Sequence, residues 1–114
     1  MKKLLFALPL LMIFVWACKK DSVGNSSFTS DCSGAAKSYA SDVAPLIQTY
    51  CNSGSGCHAA GGREIPLATY SQVYGDRSAI RASVINGSMP QNSSLTNAQK
   101  NAIVCWIDNG ASNN

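Results

Sequence analysis

Apolar positions in this chain form one unbroken run and several spaced stripes, and the two patterns predict different things. The run comes first. After Lys2 and Lys3, residues Leu4 to Trp16 are apolar throughout, interrupted only by Pro9. It is too short for a bilayer-crossing helix, which needs about 20 residues. A charged start and a short apolar stretch predict an export signal over residues 1–17. Residues 19–31 (KKDSVGNSSFTSD) carry no stripe and are predicted to be a flexible tether. The stripes follow. Val43, Leu46, Ile47 and Tyr50 fall at i, i+3, i+4 and i+7, which predicts a helix from Ser41 to Cys51. Ser41 or Asp42 is the expected cap, with Pro45 tolerated in the first turn.

A short helical piece is predicted over residues 70–74, and a further helix over Arg77 to Asn86 with Ile80 and Val84 inward. Gly87 is its stop. Ser88 to Ser94 reads as a loop. Thr96 and Gln99 then form a capping box that opens the last helix. Ala98, Ala102, Cys105 and Trp106 recur on one face of it, and Gly110 ends it. No alternating run of useful length predicts a strand, and no repeat is visible. The predicted domain, residues 32–114, is all-α.

Charge narrows the partners. The chain is formally +3, but Lys2 and Lys3 belong to the predicted signal. From residue 31 onward Lys37, Arg63, Arg77, Arg81 and Lys100 face an equal number of acids, Asp31, Asp42, Glu64, Asp76 and Asp108. No basic stripe exists, so nucleic acid is not an expected partner.

The apolar run ends Val15-Trp16-Ala17-Cys18 and turns abruptly polar. An apolar residue, a spacer, a small residue and Cys resemble the lipobox of bacterial lipoproteins. That resemblance implies that Cys18 becomes the lipidated first residue of the mature chain, with 18–31 as lipid anchor and tether. The expected location is the cell envelope, on the periplasmic side of a bacterial membrane, with exposure at the cell surface left open. In an oxidising compartment cysteines are consumed by disulfides, lipid or cofactor. Cys32, Cys51, Cys57 and Cys105 therefore need a use, the more so because a domain of about 80 residues makes a weak core without staples or a cofactor.

Cys51-Asn52-Ser53-Gly54-Ser55-Gly56-Cys57-His58 carries the chemistry. A c-type haem needs two thiols for its vinyl groups and a His beside the second thiol for its iron. The usual spacing puts two residues between the cysteines; here there are five, all Asn, Ser or Gly, which can bulge at little steric cost. Taken alone, the octapeptide also admits a Cys51–Cys57 disulfide, or a metal such as zinc on Cys51, Cys57 and His58. Gly87-Ser88-Met89-Pro90 shifts the balance. Met89 is the only methionine beyond the predicted signal and sits in a polar loop where no core stripe demands it. A thioether there can meet a His-bound iron from its other side.

Helix, Cys-x5-Cys-His, loop, Met-Pro and a capped last helix together resemble the small class I cytochromes c with His/Met-ligated haem. The likeness covers residues 39–111. It is strongest to short bacterial lipoprotein cytochrome domains that close on Trp-Ile-Asp-x-Gly-Ala, here Trp106 to Ala111. The resemblance implies three to four short helices around a haem pocket, with the first and last helices crossing. It implies one covalent haem c on Cys51 and Cys57, with His58 and Met89 on the iron. It also implies a Cys32–Cys105 disulfide fastening the crossing, where closure of so long a loop stabilises by roughly 2–4 kcal/mol. Four cysteines otherwise allow three pairings. The implied function is single-electron transfer with redox partner proteins of the envelope, not an enzyme and without a small-molecule substrate. A cofactor-free, disulfide-stapled lipoprotein module for binding or structure is the alternative. Trp106 and Tyr50 are expected to share the helix crossing beside the haem edge. Tyr70 and Tyr74 are read as ordinary core or surface aromatics, and Arg63, Arg77 and Arg81 as solvated charges.

Overall fold

Four helices make up the regular structure of residues 27–114, the part of the chain that the computed structural model describes. The predicted signal, Cys18 and the tether as far as residue 26 lie outside the described residues. Helix α1 covers residues 39–51, α2 covers Tyr70–Gly75, α3 Arg77–Asn86 and α4 Asn97–Asp108. There is no strand among the described residues, so the domain is small and all-helical. None of these helices is long and apolar enough to cross a membrane.

The first helix starts earlier than its apolar stripe predicts. Ser38, not Ser41 or Asp42, is the cap: its hydroxyl accepts the Ser41 N–H at 3.3 Å, and Asp42 Oδ2 reaches back to the Ser38 N–H at 2.8 Å. Pro45 therefore lies beyond the first turn, where it can donate no bond and crowds the preceding carbonyl. The winding accommodates it. Tyr39–Val43 and Ile47–Cys51 are wide π turns on either side of one α turn, Ala44–Leu46. Val43 and Ile47 are buried, and Leu46 and Tyr50 pack against the core more loosely.

Helix α4 is the centre of the domain. It packs against the start of α1 and along α3. Flanked this way, it buries more than the one stripe read from sequence: Ala102, Ile103, Val104, Cys105 and Trp106 are all inside, while Ala98 is exposed. Its capping box forms as the sequence predicts, Thr96 Oγ1 accepting from Gln99 N–H and Gln99 Oε1 from Thr96 N–H. An equivalent box, Thr69 with Gln72, opens α2. Gly87 stops α3 in the left-handed conformation at φ 75°, as expected of a glycine after the last periodic residue. Arg81 on α3 pairs in bidentate fashion with Asp108 on α4, at 2.6 and 3.0 Å. Both side chains are more than a third exposed, so the pair contributes only about 0.2–1 kcal/mol.

The segment after α4 turns back and ties three helices together. Ala111, fully buried, adopts φ 53°, a backbone region that any larger side chain would find harder to enter while buried. Its N–H donates to Trp106 O at 2.8 Å, and its carbonyl accepts from the Tyr70 hydroxyl at 2.9 Å. Trp106 Nε1–H donates to Ser112 O at 2.9 Å. Asn114 then accepts the open N–H groups of α1: Tyr39 N–H on its side-chain oxygen and Ala40 N–H on its backbone oxygen, both at 2.9 Å. Trp106 packs with Tyr39 and Tyr70, ring centroids 5.4 and 6.4 Å away. The expected Trp106–Tyr50 pairing does not form, because the helix crossing brings the start of α1, not its end, to Trp106.

Cys32 and Cys105 are joined by a disulfide, Cα–Cα 5.4 Å. It fastens the segment ahead of α1 to α4. Residues 27–31, read from sequence as the end of the tether, lie along the same helix. Phe28 packs against the core under Lys100, and Asp31 N–H donates to Asn101 Oδ1 at 3.0 Å.

Candidate functional site

At its C-terminal end α1 delivers Cys51 to the edge of the domain, and the next seven residues loop back on it. His58 N–H donates to the Cys51 carbonyl at 3.0 Å, closing the loop at its base. Cys57 N–H donates to Gly54 O at 2.9 Å, so the five intervening residues are absorbed in a turn. Asn52 Nδ2 holds the loop to Leu67 O at 3.1 Å, while its Oδ1 is buried without a partner. Residues 59–67 lean against the loop from outside. A side chain at Gly62 would place Cβ 2.5 Å from the Cys57 carbonyl, so only glycine permits this approach. Leu67 N–H donates to His58 O at 2.8 Å, and His58 is thus fixed from both sides.

The side chain of His58 is oriented as well. Its Nδ1 lies 2.7 Å from the Ile65 carbonyl. A carbonyl oxygen can only accept, so Nδ1 carries the proton and the neutral ring keeps its lone pair on Nε2. A His that ligates a metal is held by this same kind of bond on its other nitrogen.

Met89 comes from a separate part of the chain. Behind Gly87 the chain folds under the end of α3, where Met89 N–H donates to Ser83 O at 3.3 Å. The Met89–Pro90 peptide is cis.

Cys51, Cys57, His58 and Met89 all line one cleft of about 520 Å³, within the roughly 300–1,000 Å³ span of small-molecule and cofactor sites. Leu67, Ile80, Val84 and Leu95 supply apolar lining. The charged residues that line it are Arg63, Glu64 and Asp76. Of the three arginines read as solvated, only Arg63 faces the cleft; Arg81 is paired with Asp108, and Arg77 stacks 4.0 Å over the Tyr74 ring.

Cys51 and Cys57 are free thiols. Burial pushes the Cys51 thiol up to about 11, with a smaller push from Cys57. The thiol is therefore protonated at neutral pH in the metal-free chain. Among the described residues no three His, Cys, Asp or Glu side chains converge as a metal cage. The donors that line the cleft are two thiols and an imidazole from the Cys51–His58 loop and the thioether of Met89. That set suits a group that can be held through sulfur and ligated by imidazole and thioether. It fits a lone ion poorly.

Sequence reasoning placed Tyr50 beside the expected haem edge but did not find its partner there. It lines the cleft, and its hydroxyl oxygen accepts from Gln99 Nε2 at 3.1 Å. Its i+7 place in the α1 stripe explains why it reads as a core residue. Compared with protein-family models, curated proteins and solved structures, the chain matches none.

Proposed function

We propose that this domain is a cytochrome c-like single-electron carrier that holds one c-type haem in the cleft between the Cys51–His58 loop and the Met89 loop. One observation carries the reading. Residues chosen from sequence for thioether attachment and for axial ligation, more than 30 positions apart at the extremes, all line a single cleft, with the His58 ring already oriented by Ile65. Cys51 and Cys57 would hold the porphyrin edge, and His58 Nε2 and Met89 Sγ the iron. When bound, the haem supplies an iron that gains and loses one electron. The chain's own task is then positional. The Ile65 carbonyl fixes the tautomer of His58, the apolar residues would limit water at the ligands, and a neutral thioether from Met89 would favour the reduced state. Were His58 and Met89 both to ligate the iron, they would leave no coordination site for a substrate, and the reading is a carrier rather than an enzyme. The predicted lipid on Cys18 would tether it to a membrane of the cell envelope, within reach of partner redox proteins.

The test is production of the full chain in a bacterium that attaches c-type haem. The expected product is red, and its haem mass survives denaturation. Replacing Met89 by Ala then changes the visible spectrum and lowers the reduction potential. A colourless product with Cys51 bonded to Cys57 overturns the reading and leaves the stapled, cofactor-free module.

A further inference from the structure

We infer that Tyr50 is a hydrogen-bond donor reserved for the occupant of the cleft, and that Gln99 is the positioning residue that reserves it. The inference rests on the proposed haem reading for the identity of that occupant, but not for the state of the tyrosine.

The chain of constraint starts at the cap of α4. Thr96 N–H can only donate, and it meets a Gln99 side-chain oxygen at 2.8 Å. This fixes which end of the Gln99 amide is oxygen. The other end, the NH₂ group, faces the Tyr50 hydroxyl at 3.1 Å and can only donate. Tyr50 Oη is therefore an acceptor, and its own proton remains unspent. Among the described residues that hydroxyl donates to no one, although Tyr50 is half-buried and lines the cleft. A tyrosine packs its ring on apolar groups and offers its hydroxyl to a polar partner. Because Tyr50 lines the cleft, a bound group there is the partner its proton is offered to.

The consequence is electrostatic. A donor dipole aimed at a redox group stabilises its electron-rich form, in a part of the domain where water does not screen it fully. Tyr50 thus raises the reduction potential of the bound group, and Gln99 sets the direction of the dipole. One hydrogen bond of ordinary net strength shifts the reduced-to-oxidised ratio by roughly two- to tenfold.

Two variants test this in the full chain. Tyr50→Phe removes the donor and keeps the ring. Gln99→Glu keeps an oxygen for the Thr96 cap, but its carboxylate takes the Tyr50 proton and turns the dipole away. In haem-free chain, the tyrosine doublet in the resonance Raman difference between wild type and Tyr50→Phe should show Tyr50 as an acceptor, and in Gln99→Glu as a donor. A donor signature in the wild type overturns the inference whether or not haem is ever attached. In haem-loaded chain, both variants should lower the potential. The Gln99→Glu effect should shrink when Tyr50 is already Phe, since a bare added charge would act equally in both backgrounds. An unchanged potential in Tyr50→Phe, or strict additivity of the two, overturns it. A wild-type chain that takes up no haem sinks the proposed function, while the Raman result still decides the tyrosine.

Discussion

The two ends of this domain are finished to different degrees. Around Trp106, polar groups find partners and apolar space is filled: the indole is 1% exposed, its N–H is bonded, and Tyr39, Tyr70, Ala111 and Asn114 close around it, with the Cys32–Cys105 bond on the same helix. At the cleft end two thiols stay free, Asn52 Oδ1 is buried without a partner and the Tyr50 proton is uncommitted. One end is complete from the chain's own atoms. The other holds donors, acceptors and nucleophiles around a space that they line without closing. Stability is thus concentrated where chemistry is absent, and the candidate site is carried on loops positioned by that scaffold.

Truncation on the closed side should have the largest effect. Trp106→Ala removes the largest fully buried side chain and leaves Ser112 without its donor. A loss of about 3–5 kcal/mol is expected from urea titration, enough to unfold a marginal domain. Cys57→Ala on the cleft side should cost far less by the same measurement, and an equal cost would break the comparison. The Cys32→Ser, Cys105→Ser pair comes next. It should lower stability by about 2–4 kcal/mol and loosen the segment around Phe28, read as faster amide exchange at Asp31 and Ser33.

The third effect is the smallest and belongs to the cleft. The Cys51 thiol is pushed up to about 11 by burial, above its ordinary value of 9.0. A raised value means that the folded state keeps the proton longer than the unfolded one. The resulting stability is complete below pH 9 and is lost as pH rises through about 11, a fall of at most about 2–3 kcal/mol. Alkaline urea titrations of reduced, haem-free chain should show this limb. It should vanish in Cys51→Ala, and also once the sulfur is tied up as a thioether. A limb that persists in Cys51→Ala would assign the loss to another group.

Local chemistry explains which elements were legible in advance. The bounds of α3 could be read because Gly87 stops it without help from elsewhere, and α4 because Thr96 and Gln99 satisfy each other. The box at Thr69 and Gln72 carried the same signature and could have been read likewise. The start of α1 is only partly local: Ser38 and Asp42 cap it within the segment, but the Tyr39 and Ala40 N–H groups are met by Asn114 from the far end of the chain. The burial of Ile103 and Val104 could not be read locally, since they lie off the stripe and go inside only because α1 and α3 flank α4 on different sides.

For the candidate site the division is similar. Sequence alone named Cys51, Cys57, His58 and Met89, because sulfur and imidazole at those spacings have few joint uses. It also determined the all-helical class, through periodicity and capping that act within a few residues. Only the tertiary structure decided that the five-residue loop closes back on Cys51, that Ile65 orients the His58 ring, and that the arginine on the cleft is Arg63. Tyr50 received its free proton the same way, through Gln99. Each of these depends on a backbone atom or side chain brought close by the packing of separate elements, and no local pattern records such proximity.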